Sequence, residues 1–257
     1  MIDFLMNWKW KKFLPTFNWT YFLARKHKNK YDVIIALCYC VIYFVIELIK
    51  HLMFVRITGM VSFDKLPLNY CSMTFYFFIA AIIIPNKKWK DRCYLIGSYV
   101  GVTGALMTCI NPSGFYNQPY IYHTIYQIIH HSLLFVSSLF IIISRKLYLD
   151  SRKIITIMMA YTFIYFIFTF TINIVLFKTV IEPNGWQESN FSDLGYTSYF
   201  VKHNVPIGFL EFFKVRMYPL YLLLYYIGLI FFNTLYLMLI RLGIRLYYFS
   251  KKYKLNT

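Results

Sequence analysis

Residues 154–181, IITIMMAYTFIYFIFTFTINIVLFKTVI, form an unbroken apolar run whose one charged side chain is Lys178. A helix of that length rises about 40 Å, more than the ~30 Å hydrocarbon core of a bilayer. Working outward from it, five more apolar runs follow the same pattern: Val33 to Val55, Leu66 to Pro85, Cys93 to Ile110, Ile121 to Ile143 and Met217 to Leu242. Together they predict an all-α, polytopic membrane helix bundle with six transmembrane helices. Composition agrees, because 59% hydrophobic residues, 14% charged residues and a mean hydropathy of +0.52 are too apolar for a soluble domain of 257 residues.

The formal charge of +17 would suggest nucleic acid if the Lys and Arg side chains formed one face. They lie between the apolar runs instead, so the basicity reads as topology and no nucleic-acid partner is expected. Residues 1–32 make a cytoplasmic arm in which Lys9, Lys11, Lys12, Arg25, Lys26, Lys28 and Lys30 interleave with Trp8, Trp10, Phe13, Phe17 and Trp19. This pattern predicts an amphipathic segment lying on an anionic leaflet. Pro15 and the lysines interrupt it too often for a cleavable signal peptide. Further cations cluster at Lys87, Lys88, Lys90 and Arg92, at Arg145, Lys146, Arg152 and Lys153, and from Arg241 to Lys254. The alternate connections carry only Arg56, Lys65, Lys178, Lys202, Lys214 and Arg216, and residues 111–120 carry none. The positive-inside rule then predicts a multi-pass cell-membrane protein with both termini cytoplasmic. Its single transmembrane domain spans residues 33–243, and residues 244–257 form a basic tail.

The outer connection, residues 182–216, is long for a compact bundle and contains an amphipathic stretch from Tyr196 to Phe213. It reads either as a lid or re-entrant element or as a plain interfacial loop. Cys38, Cys40, Cys71, Cys93 and Cys109 fall in or at the ends of apolar runs, which predicts thiols rather than a disulfide framework.

Ionisable and amide side chains inside spans are costly, so their depth is informative. Glu47 and His51 share one helix face near the outer end of the first span. Asn69, Cys71 and Ser72 lie in the first turns of the second. His123, Gln127, His130 and His131 line the fourth, Asn173 lies about two turns from the outer end of the fifth, and Tyr221 begins the sixth. Polar groups from five helices at one depth predict a shared cavity open to the outer leaflet, with Glu47, His51, Asn69, His123, Gln127, His130, Asn173 and Tyr221 as its pocket. Gly97, Gly101 and Gly104 fit a close-packing face on the third span.

Within that set, a cysteine and a histidine can act as nucleophile and base, imidazole taking the thiol proton so that the thiolate attacks an acyl carbonyl. Cys71 and His131 are the candidate pair, with Cys71 as a small packing residue and His130 as the cavity-facing histidine the alternatives. Depth separates the pair, since Cys71 lies about 8 Å and His131 about 15 Å inside their predicted helix starts. The histidines match no HExxH spacing, so neither a metal nor another cofactor is expected. Glu47 reads equally as a structural partner of Lys50, His51 or Lys178.

The stretch Leu66-Pro67-Leu68-Asn69-Tyr70-Cys71-Ser72 resembles the LPLHLCS-type helix start of the YwaF-like family of bacterial integral membrane proteins. Gly101 to Pro112, His131 with Leu133 and Leu134, Asn173-Ile174-Val175-Leu176 and Tyr218-Pro219-Leu220-Tyr221 are similar to further motifs of that family, in the same order. Asn69 stands where the family has histidine, Ile174 where it has tyrosine, and Tyr218 where it has tryptophan. The family in turn resembles a eukaryotic transmembrane group that includes an ether-phospholipid acyltransferase. That resemblance implies catalytic roles for Cys71 and His131, with membrane lipids as partners. Two functions from different classes follow: a phospholipid acyltransferase or acyl hydrolase working through a Cys71 thioester, or a non-catalytic small-molecule transporter or binding subunit using the same cavity.

Overall fold

The structure, a computed structural model, describes residues 31–58, 68–110, 121–178, 196–199 and 210–254. The basic arm before Tyr31, the Pro112 turn and most of the 182–216 connection lie outside these residues. Among the described residues there are seven helices and no strand: α1 (Asp32–Thr58), α2 (Met73–Ile83), α3 (Lys87–Ile110), α4 (Ile121–Ser144), α5 (Ser151–Leu176), α6 (Leu210–Arg216) and α7 (Tyr218–Lys254).

Among the described residues four segments are long and apolar enough to cross a membrane: Asp32–Met53, Ile125–Ser144, Ser151–Leu176 and Tyr218–Leu246. They coincide with the first, fourth, fifth and sixth runs of the sequence. Each turns a band of aliphatic and aromatic side chains outward, such as Leu37, Phe44 and Leu52 on α1, Phe163 and Ile167 on α5, and Leu223, Ile227 and Phe231 on α7. A hydrocarbon solvent accepts such bands, whereas water would not.

The second and third runs behave differently. The helix α2 has 11 residues, which rise only about 16 Å, because the chain from Leu68 to Ser72 is a turn rather than a continuation of the helix. In α3 the first six residues, Lys87 to Arg92, are mostly charged, and the remainder is diluted by Gly97, Ser98, Gly101, Thr103 and Gly104. Small polar residues suit a helix surrounded by protein. Indeed Tyr94, Ser98, Tyr99, Val100 and Val102 are fully buried.

The helix α3 packs against α2 and α4 and also touches α5 and α7, while α1 closes over α2 and α4, and α7 lies against α5 and α6. The glycines are where α2 and α4 approach most closely. A methyl group on Gly97 would stand 2.9 Å from the Phe77 Cβ, and one on Gly101 would meet Ser138, Thr74 and Leu134 together. The Thr74 hydroxyl donates to the Gly97 carbonyl at 2.9 Å, fixing the register of α2 on α3.

At the end of the bundle that carries Asp32, charged groups tie three helices together. Asp32 is fully buried and accepts from the Ser144 hydroxyl at 2.5 Å, while Arg145 Nε lies 2.8 Å from it. The same guanidinium reaches Asp91 at 2.6 Å and lies over the Tyr94 ring. Just beyond, Arg241 of α7 donates to the carbonyls of Tyr148 and Leu149 at 2.7 and 2.6 Å. The turn itself is a Schellman motif: Lys146 has φ 54, Leu147 N–H donates to the Ile142 carbonyl and Lys146 N–H to that of Ile143.

Candidate functional site

The turn Leu68–Ser72 is pinned from two sides. Tyr165 of α5 donates its hydroxyl to the Leu68 carbonyl at 3.0 Å, and the Tyr70 hydroxyl meets Thr162 at 3.3 Å. From α7, the Asn233 amide donates to Tyr70 at 3.4 Å and to Leu229 O at 2.8 Å, while its oxygen accepts from Thr103 of α3 at 2.8 Å. Non-helical backbone inside an apolar bundle needs such partners, because lipid offers none. Cys71 sits in this turn, half-buried, with its Cβ lying directly where a side chain on Gly104 would go.

Thr74 of α2 and Leu134 and Ser138 of α4 meet around Gly101. His131 shares the α3-facing edge of α4 with Leu134 and Ser138 at i, i+3 and i+7. Its Nδ1 bonds the Gln127 carbonyl at 2.9 Å, so a neutral ring carries its lone pair on Nε2.

His130 points elsewhere. Its ring lies 4.8 Å from that of Tyr43 on α1 and stacks on Tyr126 at 5.6 Å. It is 3% exposed, and its Nε2 has no hydrogen-bond partner among the described residues. Glu47, also buried, accepts from the Tyr126 hydroxyl and pairs with Lys50 at 2.7 Å, with His51 Nδ1 at 3.7 Å. Of the partners open to Glu47, then, Lys50 is the tight one. His51 turns the same nitrogen to the Glu47 carbonyl at 2.8 Å. A groove of about 280 Å³ opens beside this cluster between α1 and α2, walled by Tyr43, Glu47, His51 and Phe75 and flanked by the exposed Phe44 and Tyr76.

The remaining expected pocket residues lie in other settings. Asn69 is exposed in the turn, its carbonyl accepting from Met73 N–H at 3.2 Å. Asn173 donates to Thr197 at 3.1 Å, Thr197 bonds Thr169 at 2.9 Å, and the Tyr221 hydroxyl donates to the Tyr196 carbonyl at 2.6 Å. Asn173 and Tyr221 thus hold residues 196–199 against α5 and α7. The His123 side chain lies outside the described residues. Among the described residues no group of three His, Cys, Asp or Glu side chains could hold a metal ion.

Sequence reasoning passed over Tyr70, Thr103, Tyr126, Tyr165 and Asn233. An amide in the middle of an apolar run was the available signal for Asn233. The tyrosines gave none, because Tyr is abundant here and is usual at membrane interfaces.

Lipid-facing apolar bands around a polar-lined helical interior define a polytopic helical membrane protein. The chain belongs to the TMEM164 family, whose model matches residues 12–240. No curated protein and no solved structure matches it.

Proposed function

We propose that this chain crosses the membrane six times with both termini cytoplasmic and acts as a phospholipid acyltransferase or acyl hydrolase, with Cys71 as nucleophile and His131 as base. The orientation is supported by the cations gathered at the Asp32 end, among them Lys87, Lys88, Arg92, Arg145, Lys153 and Arg241, against few at the other. The catalytic reading is supported by the resemblance of Leu66–Ser72 to the YwaF-like helix start. The observation that carries it is the setting of Cys71, a thiol held in a pinned turn against Gly104, in a chain whose candidate base His131 has its Nδ1 already committed to the Gln127 carbonyl.

In this mechanism His131 Nε2 takes the Cys71 proton and the thiolate adds to the ester carbonyl of a phospholipid. Collapse of the tetrahedral intermediate forms the thioester and breaks the ester C–O bond, and the imidazolium returns its proton to the departing lysolipid alkoxide. A second lysolipid, or water, then gives its proton to His131 and attacks the thioester, releasing the Cys71 thiolate, which recovers the proton. Gln127 and Asn69 are the amides on the same two segments that would stabilise the oxyanion.

A small-molecule carrier or binding subunit is the second reading. It is favoured by the groove beside Glu47 and His51, whose walls include neither Cys71 nor His131. Intact-mass analysis after incubation with phospholipid separates the two. An acyl adduct on the wild type that is missing from Cys71→Ala and does not form in His131→Ala supports the enzyme. A small molecule that stays bound to all three proteins, with no adduct on any, supports the carrier.

A further inference from the structure

At the Asp32 end, the first turn of α3 and the start of α5 face one another across a pocket of about 380 Å³. Its polar wall carries Lys87, Lys88 and Arg92 from α3 and Lys153 from α5. Asp91, the one acidic side chain in the wall, is already held by Arg145 at 2.6 Å. Among the described residues none of the four cations makes an ion pair, so they outnumber the one carboxylate of the wall. Lys87, Lys88 and Lys153 are exposed, so water screens them from one another, and an anion reaching the pocket would find several cationic donors close at hand.

The local backbone adds to the positive field. Both helices begin beside the pocket, so the positive ends of their dipoles lie near it. Asn86 accepts from Lys88 N–H and Trp89 N–H, and Asp150 from Lys153 N–H, so the first N–H groups are largely capped and the cationic side chains are the donors left for a ligand. Arg92 is also braced over the Trp89 ring at 4.6 Å, which limits its swing. The floor of the same pocket is apolar, formed by Leu95, Leu147 and Ile157.

We propose that this pocket binds a phosphate group, its oxygens shared among Lys87, Lys88, Arg92 and Lys153. Two sources carry that chemistry: the headgroup of an anionic phospholipid, whose glycerol and first methylenes would rest on Leu95, Leu147 and Ile157, and free phosphate. Guanidinium and ammonium donors around one oxyanion are the usual means of holding phosphate, and basic pockets at helix ends hold anionic lipid headgroups. The proposal is independent of acyl transfer and uses neither Cys71 nor His131.

The test is native mass spectrometry of the full chain released from nanodiscs of phosphatidylcholine with one part in ten phosphatidylglycerol, with and without 10 mM inorganic phosphate. The pocket variant is Lys87→Gln/Arg92→Gln/Lys153→Gln. A charge-matched control, Lys90→Gln/Arg152→Gln/Arg245→Gln, removes three cations that do not line the pocket. The wild type and the control are expected to retain phosphatidylglycerol over phosphatidylcholine, and the pocket variant to lose that preference by at least about tenfold. Retention that survives inorganic phosphate assigns the lipid source. Displacement by inorganic phosphate in wild type assigns the free anion, and either result supports the site. Equal loss in both triple variants would mean diffuse surface charge, and no loss in the pocket variant would mean no site. Either of those overturns the proposal, provided that helix content and monodispersity match wild type.

Discussion

The Cβ of Cys71 occupies the space in which Gly104 would otherwise carry a side chain. A methyl group there would also stand 3.0 Å from the Cys71 Cα, which is backbone and cannot swing aside. Gly104→Ala is therefore expected to cost about 1–3 kcal/mol through overpacking. Gly228 on α7 has nothing within 4 Å of its added Cβ, so Gly228→Ala should be neutral or gain up to about 1 kcal/mol. Thermal unfolding of both variants in one detergent tests the contrast, and equal midpoints would show that the glycine contact is not tight.

Asn233 joins α7 to α3 and to the Cys71 turn through Thr103 and Tyr70. Replacing it with leucine removes both bonds while keeping the number and branching of side-chain heavy atoms. Loss of roughly 1–2 kcal/mol is expected, the upper range for interhelical hydrogen bonds in membranes. Tyr70→Phe, which loses only the hydroxyl end of this network, should cost less. A larger effect for Tyr70→Phe than for Asn233→Leu would contradict the network described.

Arg145 bridges Asp32 and Asp91. Arg145→Met leaves the fully buried Asp32 carboxylate without its cation, and a loss of about 3–5 kcal/mol is expected. Adding Asp32→Asn to the same protein removes the orphaned charge and should recover most of that loss. A double variant no more stable than the single one would show that the ion pair matters for packing rather than charge.

Lys146 adopts φ 54 at the C′ position of α4, where glycine has no steric penalty. Lys146→Gly should raise stability by about 1 kcal/mol. The surface position keeps side effects small, so a drop in the melting midpoint would argue against the left-handed cap.

His130 is buried with an unpartnered Nε2, held by ring contacts to Tyr43 and Tyr126. Phenylalanine keeps those contacts and removes the unsatisfied nitrogen, so His130→Phe should change stability by less than about 1 kcal/mol or increase it. His131→Phe loses the bond to Gln127 and should be the more costly change. Parallel chemical denaturation decides, and the reverse order would place the needed polar group at His130.

Much of the architecture was legible because hydrophobic runs report on lipid directly. The runs around Tyr43, Phe140, Phe163 and Leu229 are helices with outward apolar bands, as their composition demanded. The run from Leu66 to Pro85 read as one helix because every residue in it tolerates a membrane. Nothing local announces that Leu68–Ser72 is a turn, since its partners Tyr165, Thr162 and Asn233 lie roughly a hundred residues or more away. The i, i+4 pairing of Glu47 with His51 was readable from spacing, yet the nearer partner of the carboxylate besides Lys50 is Tyr126 on another helix. The helix start was misjudged for the same reason: it was counted from the first apolar residue, whereas the backbone begins α2 seven residues after Leu66.

The brevity of α2 bears on how the chain is made. Eleven helical residues cover only about half of the hydrocarbon thickness, and just Ile84, Pro85 and Asn86 separate α2 from α3. A segment of that reach has little reason to stay in the bilayer alone. In the folded chain it lies against the glycines of α3 at 97, 101 and 104, so it is expected to enter the membrane with α3 as one hairpin. Substitutions on that glycine face are then expected to lower the fraction of newly made chains that insert, which a glycosylation-site insertion assay would read separately from the melting midpoint.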